Sequence, residues 1–401
     1  GLSVFVADKG VVAGEQSSRN WGWVRVTWRD AAEVPIAIDS LNCWQEISAE
    51  LEEDTGFTRQ GILGLATSDK EMAEFESWMD IARANDLDTR LLSKSDIASL
   101  VSLSNDDWVG GQFTPSDARA EPFKAVPAMA RGVQKLGGHI REHCAVRLLD
   151  IEAGQIKGVI TEHGRVRAHS VVCAAGAWSN VFLGNEGISF PQLTVRGTVA
   201  RTAKAPEIFP GALAMHDSFV RRRQDGGYTV TAEVVEHTIG ANSFRYFGAF
   251  GPARKSGTDV HLKLGRAVAH RPFLGKGWSG DEESPFERER VWNAAPTAKG
   301  LKLIRKNLER RVPELAGIEF VESWAGMMDV SPDVVPVMDE VAEVPGLYLA
   351  SGFSGHGFGI GPGAGKVMAE MIAGKPARFD LSRFRFSRFS DGSKLVPGPA
   401  I

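Results

Sequence analysis

The run GFSGHGFGIGPGAGKVMAEMIAG from Gly352 to Gly374 constrains this chain more than any other stretch, because it follows the apolar LYLA of Leu347 to Ala350. An apolar run, a glycine loop and a periodic apolar segment in that order predict a strand, a turn and a helix start. Seven glycines between Gly352 and Gly365 remove the Cβ atoms that would hold a ligand off the backbone, and they permit positive φ. Val367, Met368, Met371 and Ile372 then recur at helical spacing, so a helix N-terminus beginning near Gly363 would point its N–H groups at whatever the loop holds. Such a site suits an anion or a developing negative charge.

At the other end, LSVFVADKG from Leu2 to Gly10 is a short β-branched run that closes on an acidic residue and a turn. This is how the second strand of a dinucleotide-binding unit reads, with Asp8 placed to accept hydrogen bonds from ribose hydroxyls. The G-x-G-x-x-G loop of such a unit would stand roughly 20 to 25 residues before Asp8, so it is expected upstream of Gly1.

Four blocks, VFVADKG, AGEQSSRNWGW (Ala13 to Trp23), Val146 to Ser179 ending in VVCAAGAWS, and WAGMMDVSPDVVPV followed by GFSGHGFGIGPGAG, occur in one order along the chain. In that order and spacing the chain resembles the FAD-dependent D-amino-acid oxidase, glycine oxidase and sarcosine oxidase superfamily over nearly its whole length. The resemblance implies an α/β fold, mixed with α+β elements: a Rossmann-like FAD-binding domain of interleaved segments and a second, antiparallel-sheet substrate domain. It implies that Asp8 and Lys9 meet the adenosine ribose, and that Ser17, Ser18, Arg19, Asn20, Trp21 and Gly22 run along the pyrophosphate toward the flavin. Val146 would meet the adenine, Ala175, Gly176 and Trp178 would line the cofactor, and Gly352, Gly355, His356, Gly357, Phe358 and Gly359 would sit at the flavin ring. Relatives that bind flavin covalently do so through a cysteine near the C-terminal block. The last cysteine here is Cys173, so the FAD is expected to be non-covalent.

A length of 401 residues suits two domains that each bury a core. The expected partition is 1–33, 130–191 and 321–378 for the FAD-binding domain, 34–129 and 192–320 for the substrate domain, and 379–401 for a surface tail. Periodic apolar residues predict amphipathic helices around Ile38, Leu41, Trp44, Ile47 and Leu51 and around Met72, Phe75, Trp78 and Met79. Three β-rich runs broken at EAGQ and EHGR predict an antiparallel meander between Ala145 and Ala175. LTVRGTVART, SFVRRRQDGGYTVTAE and SFRYFGAF predict strands of the second sheet.

A formal charge of −4 gives no reason to expect nucleic acid, and the short basic tail after Ala377 specifies little alone. Cys43, Cys144 and Cys173 show no C-x-x-C spacing, and His139 and His143 enter a strand-like run, so no disulfide framework and no metal site is expected. No apolar run approaches the roughly 20 residues of a membrane-spanning helix. The expected location is cytoplasmic, peripheral to the inner membrane if the protein is a dehydrogenase.

The implied chemistry moves a hydride from the carbon beside nitrogen to flavin N5. The imine so formed hydrolyses to an oxo acid or aldehyde plus amine or ammonia. The substrate would be an amino acid or secondary amine, with oxygen, a quinone or another electron carrier as acceptor. Relatives carry a carboxylate-binding arginine before S/T-P-D, but Met327 and Met328 occupy that segment here. Either another cation serves, with Arg221, Arg245 and Arg25 as the candidates, or the substrate has no carboxylate there; Tyr228, Tyr246, Trp21 and Trp324 are expected as walls, with His356 tuning the flavin. A second reading is a non-catalytic flavoprotein-like subunit or an inactive fragment.

Overall fold

The computed structural model describes residues 2–251, 253, 260–264 and 277–398. The strand Phe5–Ala7 runs parallel to His139–Arg141, and separately Val171–Cys173 runs parallel to Leu347–Ser351, which takes Val337–Glu340 antiparallel on its other edge. The expected parallel cofactor sheet is therefore present as two small sheets. Their facing strands keep Val4, Val6 and Val172 48, 39 and 41% exposed. The predicted meander is there, as Val146–Glu152, Gln155–Thr161 and Gly164–Arg167 in antiparallel register.

The second sheet has nine strands among the described residues. Its order is Phe320–Val330, Leu193–Thr202, Tyr228–Ile239, Ser218–Arg222, Ala212–Met215, Ile62–Ala66, Gly110–Thr114 and Arg90–Leu92, with Val260–Leu264 beside Tyr228–Ile239. It is mixed where an antiparallel sheet was expected, because Ile62–Ala66 with Ala212–Met215, and Tyr228–Ile239 with Val260–Leu264, pair in parallel.

Helix Val34–Leu51 buries Val34, Ile36, Ala37, Leu41 and Trp44 in one cluster with Ile360, Ala364, Val367 and Met368 of helix Gly357–Ile372. Strand Phe320–Val330 lies in the substrate sheet, paired with Leu193–Thr202 from Leu193 opposite Val330 to Thr202 opposite Phe320. SFRYFGAF is not a strand. Residues Ala241–Arg245 form a short helix, and the buried pair Tyr246 and Phe250 sits at the four-residue spacing of a helical face, which the aromatic composition obscured. The tail is also less superficial than expected, since Phe384 and Phe386 are buried and Arg388 makes a buried two-pronged pair with Asp333 at 2.9 and 3.0 Å.

Candidate active site

A cavity of about 1420 Å³ opens between the two sheets and the glycine helix. One wall is built by the segment after strand Trp23–Val24. That strand pairs with Ala118–Arg119, and Asp117 then fixes the chain beyond it by accepting from the Val26 N–H at 2.7 Å and from the Thr27 hydroxyl. Arg29 N–H closes a turn on Val26 O at 3.2 Å with Trp28 at φ +57°, a conformation that bulky residues rarely adopt without support. Support comes from the Trp28 indole, which donates to Gln112 at 2.7 Å and stacks on Phe75 with centroids 5.5 Å apart. The strained turn brings Arg25, Trp28 and Arg29 together onto the cavity wall.

Beside it, the glycine loop builds a second wall. Gly352 and Gly355 take φ of +74° and +83°, and the helix begins at Gly357 rather than near Gly363. His356 precedes the first turn and is 2% exposed. Asp329, at the end of its strand, ties this loop to the other cofactor-facing segments. It accepts from Gly352 N at 2.6 Å and from Ser351 Oγ and Gln192 Nε2, both at 3.2 Å. With its amide oriented to satisfy both neighbours, Gln16 donates to Asp329 Oδ1 at 3.0 Å and accepts from Ala177 N at 3.1 Å. Burial pushes the Asp329 carboxyl above the usual carboxylate range.

Charge is concentrated beside the turn. Burial first, and then the neighbouring Arg29 charge, lower the Arg25 guanidinium to about 9. Desolvation holds the His356 imidazole down to about 4, and burial raises the Asp117 carboxyl to about 6. Glu33 is fully buried with its Oε2 3.6 Å from His356 Nδ1; the imidazole and the two arginines together overcome the desolvation that would raise it, and hold it below its ordinary value. Neither Glu33 oxygen, neither His356 nitrogen, and neither Nε nor Nη1 of Arg29 has a hydrogen-bond partner among the described residues. These orphaned atoms share one corner of the site.

Of the residues expected at the cofactor, Ser17, Arg19, Asn20, Trp21, Gly176, Gly355, His356, Gly357 and Phe358 line the cavity. Asp8 stands at the end of its strand and accepts from Gly10 N at 2.7 Å, outside the cavity lining. Lys9 is committed elsewhere: its ammonium donates to Glu15 at 2.5 Å and to the Glu289 and Arg290 carbonyls, over the Trp178 ring. Trp178 is itself buried and donates to Glu15, and Ser18 bonds back to Ala13 O. Gly22 packs on Arg221, Gly359 packs on strand Trp23–Val24, and buried Gly352, half-buried Val146 and exposed Ala175 are not part of the cavity lining.

The substrate expectations need correction. Arg221 is 1% exposed and holds Glu121 with two bonds at 3.0 and 3.1 Å, plus Thr229, so its charge is spent inside the protein. Arg245 is exposed on its short helix and Tyr246 is buried in a separate cluster with Val195 and Phe250. Trp324 donates to Arg19 O at 3.0 Å from outside the cavity lining. Tyr228 is buried under Ile208 and Pro206. Of the three arginines expected as the clamp, Arg25 is the one that lines the cavity, between the rings of Trp23 and Trp28 at 5.7 and 5.6 Å, and with Nη1 on Thr27 O. Of the two methionines in the usual clamp segment, Met328 lines the cavity and Met327 does not. Arg29, Glu33, Asp117 and Asp329 escaped the reading of the sequence. No local motif marks Arg25, Arg29 and Glu33, because a turn and not a regular element brings them together.

The cavity fits a flavin dinucleotide on its own evidence. Its volume exceeds the roughly 300–1,000 Å³ of ordinary ligand pockets. It is edged by backbone without side chains: Gly176 has φ +51° with its missing Cβ aimed at Gln16, and a Cβ on Gly326 would lie 3.5 Å from Arg19 O.

A family model described as "FAD dependent oxidoreductase", DAO, matches residues 1–371. L-amino acid deaminase from Proteus myxofaciens, solved with anthranilate, superposes with a TM-score of 0.92 at 27% identity, covering 97% of this chain and 89% of that one. Mitochondrial sarcosine dehydrogenase of Mus musculus is 25% identical over 86% of this chain and 35% of its own length. 4-Methylaminobutanoate oxidase (formaldehyde-forming) of Paenarthrobacter nicotinovorans is 27% identical over 84% of this chain and 36% of its own. The chain thus spans about a third of the length of these two curated relatives.

Proposed function

Because this chain belongs to the DAO family of FAD-dependent oxidoreductases, we propose that it oxidises the C–N bond of an amino acid whose side chain is aromatic or bulky and apolar. The observation that carries this reading is Arg25, a cavity-facing guanidinium framed by two indoles and without a carboxylate partner within 4 Å among the described residues. A guanidinium in an apolar wall favours a carboxylate. Trp21, Trp23 and Phe219 form an aromatic corner of the same cavity, with Trp21 and Phe219 stacked at 5.1 Å, and Met215 and Met328 add adaptable apolar surface. The Proteus myxofaciens relative, crystallised with anthranilate, supports the same pairing of ring and carboxylate.

FAD is the hydride acceptor of this chemistry, and the released imine hydrolyses to an oxo acid and ammonia. The residues of this chain orient and exclude. Arg25 would hold the carboxylate, the aromatic corner would hold the side chain and keep water out, and Gln16, Ser17, Asn20, Gly176 and the Gly355–Phe358 segment would hold the cofactor. His356, neutral at pH 7 because of its burial, would add no charge beside the reacting amine.

The test is anaerobic bleaching of the flavin band by matched substrates. Phenylalanine or leucine should bleach it far faster than phenethylamine or isoamylamine, which lack the carboxylate. Equal bleaching by the amines would remove the amino-acid assignment. Reoxidation by air or by a quinone analogue then identifies the acceptor.

A further inference from the structure

We propose that Arg29 is the second cation of the carboxylate subsite, so that the segment from Arg25 to Arg29 offers two guanidiniums to one substrate carboxylate. This rests on the reading of the cavity as an amino-acid site. Arg29 lines the same cavity as Arg25, is 4% exposed, and its Nε and Nη1 have no hydrogen-bond partner among the described residues. A guanidinium left so in a protein interior is costly, and a ligand anion is what offsets that cost.

The neighbouring carboxylates Glu33 and Asp117 favour the Arg29 charge through space but leave its Nε and Nη1 without an acceptor. Asp117 already accepts from Val26 N and the Thr27 hydroxyl. Glu33 lies beside His356, and no ion pair within 4 Å joins it to Arg29 among the described residues. Meanwhile Arg29 disfavours the charge on Arg25, so the two guanidiniums are near enough to repel. An anion seated between them relieves both the repulsion and the desolvation, whereas a neutral ligand relieves neither. A carboxylate has two oxygens and lone pairs enough to accept from both groups. The left-handed Trp28, held by Gln112, fixes the turn that aims them at one place.

Benzoate, an aromatic carboxylate with no amine to oxidise, is the probe, with benzyl alcohol as its neutral counterpart. Binding to the FAD-loaded protein is read by perturbation of the flavin spectrum and by calorimetry. Arg29→Met should weaken benzoate at least tenfold and leave benzyl alcohol within about twofold. Arg29→Lys keeps the charge that faces Glu33 but loses the planar fork, and should still weaken benzoate several-fold. Parent-like benzoate affinity in a folded Arg29→Lys or Arg29→Met protein, with Arg25→Met impaired, would overturn the proposal and leave the amino-acid reading standing. If the parent itself binds benzoate no better than benzyl alcohol, the amino-acid reading falls and this proposal with it.

Discussion

The Ser40 hydroxyl donates to the Gly359 carbonyl at 2.7 Å and accepts from the Gly363 amide at 3.1 Å, standing where those two groups would otherwise pair within helix Gly357–Ile372. Trp44 Nε1 adds a second bond to the same carbonyl at 3.0 Å. Helix Val34–Leu51 is thereby fastened to the helix behind the flavin loop. Ser40→Ala leaves the Gly363 amide buried and unpaired, which should cost about 1–3 kcal/mol. Gly363→Ala should cost at least as much, since the new Cβ would lie 2.6 Å from Ile36 O. Urea denaturation checks both, and an unchanged midpoint in either would mean that the helices do not meet this closely.

Backbone strain in the glycine loop falls on Gly355, whose φ is +83°, and not on Gly357, which begins the helix. Gly355→Val should therefore release flavin more readily than Gly357→Ala, whose Cβ would meet only the Phe353 side chain at 3.1 Å. Flavin fluorescence in the flow-through of a desalted sample measures the loss. The opposite ranking would take the loop out of the flavin site.

Arg25 and Arg221 should separate function from stability. Arg25→Met is expected to raise KM for an amino acid by a factor corresponding to roughly 2–5 kcal/mol, with unfolding little changed. Arg221→Met removes both guanidinium hydrogen bonds from the buried Glu121 carboxylate, leaving Arg119 and Arg223 at 3.8 and 4.0 Å, and should lower stability by roughly 3 kcal/mol. Steady-state kinetics alongside thermal melts decide the matter. A KM effect confined to Arg221 would return the clamp to the second sheet.

Stability should depend on pH through His356 and Asp117 in opposite senses. The imidazole titrates near 4 in the fold and at 6.5 unfolded, so stability present above 6.5 is lost as pH falls from 6.5 toward 4. Asp117 titrates near 6 in the fold and at 3.8 unfolded, so its contribution is lost as pH rises from 3.8 toward 6. His356→Asn should spare the protein roughly 2 kcal/mol of the acid-side loss by pH 5. Asp117→Asn should remove the opposing gain. Denaturation midpoints at pH 7 and pH 5 test this, and parallel pH curves for parent and His356→Asn would show that the histidine is not buried neutral.

Local order was readable in the chain. Strand Leu347–Ser351, the glycine helix, the three-stranded meander and helix Val34–Leu51 follow from apolar period, glycine and turn chemistry, which act over a few residues. The motif residues that line the cavity, such as Asn20, Trp21, Gly176 and Phe358, were legible for the same reason, because each sits in a short block whose backbone it helps to shape. What a charged side chain faces was not local. Arg221 looked available until the fold set Glu121, a hundred residues away in sequence, against it, whereas Arg25 lines the cavity beside a turn that Asp117 and Gln112 hold. The sheet boundaries shifted likewise, since strand Phe320–Val330 is assigned by its partner Leu193–Thr202 and not by its own pattern. Sequence by itself determined the strand, turn or helix of these periodic, glycine-punctuated segments. Only tertiary structure decided which buried charges cancel and which are left to meet a ligand, because desolvation and ion pairing depend on groups that the chain brings together from far apart.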